Sequence, residues 1–422
     1  MLDIQYIRDH SDELKTAIAN KQLNPSIVDE VLIVDEKRRE LITLVEGLRQ
    51  QINDNVAAIK QNQGSRPTPE QIDLGKNLKS RLQDIEPELK QVEKTWQDLM
   101  LQVANPPAND VPVGKDESGN QVVKTVGEPK TFDFEPLPHQ TLMENLDLLD
   151  TKHATVIGGF RTYFLKNDGF LLEQAVLQYA LQLMIKNGFS PMSAPNLVTQ
   201  EAMVGTGYFP WGKEDHYKTQ DDQVLTGTAE VALTAYHMNE TLNEKELPIK
   251  MVGLSPCFRR EVGSYGKDTQ GVIRVHQFNK VEQVVYTVAD EEVTRDWHQK
   301  MLGFSEQLLQ DLELPYHVLL MCTGDMGAGQ RKKYDIETWF PSQKTYRETH
   351  SASYFNDFQA RRLNIRYRAS DGTTKYVYTL NNTVAATPRL LAAIVENYQQ
   401  ADGSIAVPKV LQPLLGKNFI SL

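Results

Sequence analysis

Cysteine is nearly absent. Cys257 and Cys322 are the only two in 422 residues, far apart and without paired spacing. That excludes a disulfide framework, fits a reducing cytoplasm and leaves no Cys/His cluster to hold zinc. No run of about 18 apolar residues occurs, so no membrane span is expected. The opening stretch, MLDIQYIRDHSDELK, is too polar for a secretory signal, and the expected location is cytoplasmic. Internal repeats and low-complexity tracts are missing. Positive charge is also short: 45 Lys and Arg against 56 Asp and Glu give a formal net charge of −11. That balance argues against indiscriminate nucleic-acid binding, though not against a local basic surface.

What is present divides into two unlike halves. Residues 24–103 read as a helical hairpin, with Asn24-Pro25 as a helix start and the arm proper at about 26–103. Ile27, Val31, Val34, Arg38, Leu41, Val45, Leu48, Ile52, Asn55 and Ile59 are spaced alternately by four and three, and eight of these ten slots are apolar. The second arm fills every such slot from Leu78 through Leu82, Ile85, Leu89, Val92, Trp96 and Leu99 to Val103. A seam of this period demands a partner helix. Gly64 and Pro67 break the first helix, and Thr68-Pro69-Glu70-Gln71 restarts one with a capping-box pattern. The connection is short, so the arms pack antiparallel, each reaching about 50 Å at 1.5 Å per residue. Pro87 is expected to kink the second arm or remove a hydrogen bond there. From Arg49 to Arg81 six basic residues face three acidic ones, so the distal end is positive and suits a phosphate backbone. A dimerisation or spacer element fits the seam equally well.

Residues 104–130 are rich in Pro, Gly and Asn and read as a linker. Beyond it, LLEQAVLQYALQLMIKNGF is an amphipathic helix ending at Gly188, followed by many short alternating segments with few helices until PRLLAAIVENYQQ. Strands neighbouring strands predict an α+β fold over 131–422, an antiparallel sheet flanked by helices.

One hairpin, CFRREVGSYGKDTQGVIRVHQFNKVEQ, concentrates charge. A period of two sets Arg259 and Glu261 on one face, with Arg260 opposite. It also sets Arg274, His276, Phe278, Lys280 and Glu282 on one face, with Ile273, Val275 and Val281 opposite. GSYGKDTQG between them reads as a mobile polar loop. Such a face is ordinarily a solvated surface of ion pairs. Phe278 among the cations fits better a nucleotide site, with a platform for the base and guanidinium forks for phosphates. TGTAEVALT puts Thr228 and Glu230 on one face of an expected strand. YRETHSASYFNDFQARR carries Glu348 and Ser351, and YTLNNTVAATPRLLAAIVENYQ places Asn381 and Thr383 before a helix bearing Arg389.

These four segments, in this order, resemble the catalytic domain of a class II aminoacyl-tRNA synthetase, and within that class the seryl-tRNA synthetase family. CFRREVGSYGKDTQGVIRVHQFNKVE resembles its second motif and TLNNTVAATPRLLAAIVENYQ its third, while GTAEV, ETHSASYFNDFQARR and the N-terminal hairpin match further marks. The likeness spans essentially the whole chain. Asn382-Thr383 stands where many members have Gly-Ser, His350 where many have Ser, and Lys267 and Gln270 where Arg is frequent. Thr383 keeps the hydroxyl.

The resemblance implies two steps, activation of L-serine by ATP to seryl-adenylate and acyl transfer to the 3′ end of tRNA(Ser), with tRNA(Sec) a second candidate acceptor. Such chemistry needs positioning and charge neutralisation more than a protein nucleophile. Residue by residue, it implies that Arg259 bridges the serine carboxylate and the α-phosphate, and that Arg389 holds the γ-phosphate. Glu348 and Ser351 would position Mg²⁺. Phe278 would stack the adenine, with Glu261 and Val275 near its edge and Arg260, Thr349 and His350 in the ATP site. Thr228, Ala229 and Glu230 would take the serine amino group; Glu282 and Thr383, supported by Asn381, its hydroxyl. The arm would grip the long variable arm of the tRNA, and a homodimer would form around NGFSPMSAPNLV. Two rivals are a paralogue that loads a carrier protein and a non-catalytic coiled-coil interaction protein. The first usually lacks the arm; the second should have lost Arg259, Glu282, Glu348 or Arg389.

Overall fold

The computed structural model describes residues 1–61, 66–262 and 271–422. Gly64 and most of the hairpin loop, with Lys267 and Gln270, lie outside the described residues. The chain divides into two compact units, Met1–Ala19 with Leu23–Ala104, and Asn20–Gln22 with Asn105–Leu422.

In the first unit α1 (Ile27–Gln61) and α2 (Pro69–Met100) pack against each other. Asn24 precedes the helix by a turn, its Oδ1 accepting from the Ser26 amide at 3.0 Å. The seam follows the expected slots: Ile27, Val31, Leu41, Val45, Leu48, Leu78 and Val92 are buried. The two polar slots each find a partner on the other arm. The Arg38 guanidinium lies 4.4 Å from the Trp96 ring centroid, and Asn55 Nδ2 donates to the Gln71 carbonyl at 3.0 Å. Thr68 caps α2 with the reciprocal bonds of a capping box. The helix continues through Pro87, so its missing amide donor does not end it. Among the described residues no helix is long and apolar enough to cross a membrane.

The second unit is built on an eight-stranded sheet. In chain order the strands are β1 (Gln121–Val126), β2 (Ser190–Ser193), β3 (Ile249–Phe258), β4 (Gln277–Thr287), β5 (Tyr316–Leu320), β6 (Lys332–Phe340), β7 (Thr345–Asn356) and β8 (Tyr378–Ala386). Their spatial order is β1-β5-β6-β7-β8-β4-β3-β2, antiparallel throughout except for the β2–β3 pair. The helices that cover it are α3 (Asn167–Lys186), α5 (Glu291–Asp311) and α7 (Thr387–Tyr398), with a short α4 (Glu230–Thr234) and α6 (Phe358–Leu363) beside its other surface. Alternation along β4 sends Val281 and Val285 into the core, where Leu172, Val176, Met301, Leu308 and Ile394 meet them. Gln283 of β4 and Asn382 of β8 donate to the Met301 carbonyl of α5, so that face looks at the helices and the alternate residues look away.

Several expectations are corrected. The stretch 104–130 does not run free, because β1 pairs with β5 and the Thr323 amide donates to the Pro112 carbonyl. All but the last residue of β1 is exposed, which removes the hydrophobic alternation by which a strand is recognised. The segment 291–311, inside the stretch expected to hold short alternating segments and few helices, is a helix of 21 residues capped by Asp290. TGTAEVALT forms a helical turn rather than a strand, with the Thr228 hydroxyl accepting from the Glu230 amide at 3.1 Å. Among the described residues of the charged hairpin, strand runs as far as Phe258 and again from Gln277, so Arg259, Glu261, Arg274 and His276 sit on irregular backbone.

Candidate active site

The sheet face turned away from α5 carries a cavity of about 270 Å³. Two β-bulges aim its walls. In β7, His350 and Glu348 oppose the consecutive residues Ile336 and Glu337 of β6, leaving Thr349 as the extra residue. Strict alternation would place Glu348 and Ser351 on opposite faces; the bulge lets both line the cavity. In β8 the extra residue is Val384, and Asn381, Thr383 and Ala386 all line it.

One end is acidic. Glu282 is 2% exposed and sits 2.5 Å from Lys280 Nζ, its neighbour on the same face of β4. The Thr383 hydroxyl donates to Glu282 Oε2 at 3.2 Å. Glu230, at the start of α4, accepts from the Tyr208 hydroxyl at 2.7 Å and from Gln359 Nε2 at 3.0 Å. Burial, and then the negative charge of Glu282, push the Glu230 carboxyl up from its ordinary range.

The other end is cationic. Arg259 follows β3, its amide bonded to the His276 carbonyl at 3.0 Å, and its guanidinium lies 5.2 Å from the Phe278 ring centroid. Arg389, in the first turn of α7, donates to the Glu348 carbonyl and to Glu348 Oε2, both at 3.0 Å. Burial alone would raise the Glu348 carboxyl, but Arg389, then Lys333 and Arg259, hold it down at about 2. Lys333 Nζ pairs with Asp335 at 2.8 Å, and burial pushes Asp335 up to about 7 against that pairing. His350 is 1% exposed, contacts the Thr349 hydroxyl at 2.8 Å, and is pushed down to about 4 by burial.

Arg259, Glu261, Val275, Phe278, Glu282, Glu230, Glu348, Thr349, His350, Ser351, Asn381, Thr383 and Arg389 therefore line one cavity. Ile273 and Val275, expected on the opposite face, line it too, because their segment is not strand. Three residues do not join them. Arg260 donates to the Glu214 carbonyl at 2.8 Å, Ala229 packs in an apolar cluster with Leu233 and Met251, and Thr228 is buried with its hydroxyl accepting from the Glu230 amide. Sequence reasoning missed Tyr208, Lys280, Gln330, Lys333 and Ser353. Lys280 already shared a face with Glu282, and Lys333 alternates with Asp335 in KKYDIE. Tyr208 and Gln330 lie outside regular elements and carried no periodic signal. Among the described residues no group of three or more His, Cys, Asp or Glu is placed to hold a metal ion, and both cysteines are buried and free.

Comparison with known proteins gives this geometry a context. Residues 214–398 match the tRNA synthetase class II core domain (G, H, P, S and T), and residues 1–107 match the seryl-tRNA synthetase N-terminal domain. The serine–tRNA ligase of Deinococcus radiodurans is 44% identical over 420 residues, 99% of this chain and 98% of that protein. The chain belongs to the seryl-tRNA synthetase family. The serine–tRNA ligase of Corynebacterium glutamicum, another member, is 41% identical over 422 residues, covering 100% of this chain and 98% of its own length. Among solved structures, seryl-tRNA synthetase from Pyrococcus horikoshii complexed with ATP superposes with a TM-score of 0.93 at 37% identity, covering 100% of this chain and 99% of that one. The cytoplasmic enzyme of Naegleria fowleri in complex with AMP gives 0.89 at 33% identity, covering 100% and 99%. The family's α+β architecture, a helical hairpin and a largely antiparallel sheet with helices, is the fold described above.

Proposed function

We propose that the cavity activates L-serine with ATP and passes the acyl group to the 3′ end of tRNA(Ser), the serine–tRNA ligase reaction of the family. The observation that carries this reading is the meeting, around one cavity, of residues from all four segments: Arg259 and Glu282 from the charged hairpin, Thr383 and Arg389 from the last segment, and Glu230 and Glu348 from the other two.

Serine enters at the acidic end. Its ammonium pairs with Glu230, whose amide donates to the Thr228 hydroxyl beside the packed Ala229. Its hydroxyl bonds to Glu282 and Thr383, with Asn381 alongside. Its carboxylate turns to Arg259. Adenine lies on Phe278, with Glu261 and Val275 at its edge. The phosphates reach Arg389, over a floor of Thr349, His350 and Ser351. Arg260, next to Arg259, stands at the margin of the ATP site, its guanidinium donating to the Glu214 carbonyl. A serine carboxylate oxygen attacks the α-phosphorus, the bond to the β-phosphate oxygen breaks, and pyrophosphate leaves. Arg259 neutralises the charge that builds between the two reactants. No protein nucleophile is needed. Glu348 and Ser351 fit Mg²⁺, since both offer hard oxygen donors and Glu348 is held ionised. Bound with ATP, the ion supplies charge neutralisation on the phosphates.

The arm contacts the tRNA, a role that suits its excess of basic residues between Arg49 and Arg81. tRNA(Sec) is a second candidate acceptor. The catalytic units pair as a homodimer around residues 187–198. In support of this, β2 is an outer strand of the sheet, and Phe164, Phe170, Ile185 and Leu197 are exposed. The enzyme works in the cytoplasm.

Serine-dependent exchange of pyrophosphate into ATP, followed by charging of bulk tRNA with serine, tests the reading. Exchange that is absent, or that answers to another amino acid, overturns it. Exchange without charging of any tRNA would favour a carrier-loading paralogue.

A further inference from the structure

Lys21 is anomalous. It is 4% exposed, yet among the described residues no carboxylate lies within ion-pair distance of it. Its Nζ donates instead to three backbone carbonyls, those of Gly327 at 3.1 Å, Ala328 at 3.2 Å and Gln330 at 2.5 Å. Burial, and then the positive charge of Arg331, push its ammonium down to about 7. A buried cation held only by carbonyl dipoles is costly, and its position calls for a reason.

The carbonyl that Lys21 leaves out of this turn is taken by Asn105. Its Nδ2 donates to the Gly329 carbonyl at 3.0 Å and to the Phe355 carbonyl at 2.9 Å, while its amide donates to the Ala328 carbonyl at 2.9 Å. Four successive carbonyls, 327 to 330, are thus each claimed from outside the turn. Gly329 is pressed so closely on Phe358 that a Cβ there would come within 2.9 Å of the ring.

The turn ends in Gln330, which faces the active-site cavity. Its Nε2 donates to the Ser353 hydroxyl at 2.9 Å, and its Oε1 accepts from the Gly327 amide at 2.7 Å. Gln330, Tyr208 and Glu230 line the main cavity on one side and a second cavity of about 220 Å³ on the other. They form a partition with open space behind it, so packing alone does not fix where it stands. The carbonyl clamp does.

We propose that Lys21, together with Asn105, is a positioning residue for the amino-acid end of the active site, acting through the Gly327–Gln330 turn and the partition that Gln330 shares with Glu230 and Tyr208. This inference rests on the serine-activation reading. If loss of the clamp leaves the partition in place a tenth of the time, the apparent KM for serine rises about tenfold, while the phosphate end is untouched.

The test is steady-state pyrophosphate exchange by the full-length protein, with serine and ATP varied separately, in Lys21→Met, Gln330→Ala and the double variant. Expected are a rise of about tenfold in serine KM for Lys21→Met, ATP KM and kcat within about twofold, and a double variant no worse than the worse single one, because both act on one partition. A Lys21→Met protein that melts earlier but keeps the wild-type serine KM makes Lys21 an anchor only and overturns the proposal. So does a parallel rise in both KM values. If Lys21→Met does not fold, Gln330→Ala decides, and an unchanged serine KM there is a refutation. Wild-type protein without serine-dependent exchange would instead sink the functional reading itself.

Discussion

Replacing Glu282 with alanine separates what this carboxylate does for the fold from what it does for serine. In the structure it is buried, 2.5 Å from Lys280 Nζ, and accepts from the Thr383 hydroxyl. Removing it leaves Lys280, itself 5% exposed, as an unpaired buried cation. Breaking such a pair costs on the order of 3–5 kcal/mol of stability. The catalytic loss has a different origin. A hydrogen bond from the serine hydroxyl to a charged acceptor contributes about 1.5–3 kcal/mol. That is roughly 10- to 150-fold in kcat/KM, and the mis-set Thr383 hydroxyl takes the expected loss to about 10²–10³. Discrimination against alanine, of order 10⁴ for a site that must satisfy a substrate hydroxyl, should fall to about 10–100. The assay is pyrophosphate exchange at subsaturating serine and at high alanine, beside a thermal melt. The double variant Lys280→Met/Glu282→Ala removes both partners, so it should regain stability without regaining activity. Near wild-type exchange by Glu282→Ala would refute the reasoning, and so would activity that returns together with stability in the double variant.

Further outcomes follow from the same geometry. Arg389→Lys keeps the charge but loses the fork now closed on Glu348; ATP KM should rise at least tenfold with serine KM little changed, and equal effects on both would contradict the assignment. Excising residues 30–100 and joining the ends with a short Gly/Ser link should spare pyrophosphate exchange and abolish tRNA charging; unchanged charging disposes of the role given to the arm. Pro87→Ala restores an amide donor inside α2 and should raise the arm's stability by about 1–3 kcal/mol, read by hydrogen exchange of its amides. His298 is buried, contacts the Ala352 carbonyl at 3.0 Å and is pushed down to about 4, chiefly by burial. The unfolded chain therefore binds a proton between pH of about 6.5 and 4 that the folded chain refuses. Stability should fall as pH drops through that window, by up to about 3 kcal/mol from this residue. Urea melts of His298→Gln should show a flatter slope there, and an identical slope would rule the contribution out.

The hairpin of α1 and α2 was legible because its seam repeats along two long helices, and because Thr68 and Gln71 signal a helix start through local hydrogen bonds alone. Arg38 and Asn55 fill the two polar slots of that seam, and only the other arm shows what they meet. The order of the four polar segments identified the family, yet their local form was partly misjudged. Alternation predicts strand through Arg274 and His276, where the chain is irregular, because a period of two cannot reveal where a strand begins. It is also blind to bulges, and the extra residues Thr349 and Val384 are what let Glu348 and Ser351, or Thr383 and Ala386, share a cavity. The helix 291–311 was missed although Val293, Trp297, Met301, Phe304 and Leu308 repeat at helical spacing behind the Asp290 cap. That signal was in the sequence. The clamp on residues 327–330 was not, since it depends on Lys21 and Asn105, some 200 to 300 positions away in the chain.

The central claim is that one sheet face holds a nucleotide and serine in contact. The most direct measurement is a crystal structure of the protein with a non-hydrolysable seryl-adenylate mimic. The serine hydroxyl is expected against Glu282 and Thr383, the phosphate surrogate on Arg259, and the adenine on Phe278. A mimic bound elsewhere, or bound here with its hydroxyl turned away from Glu282, would contradict the account.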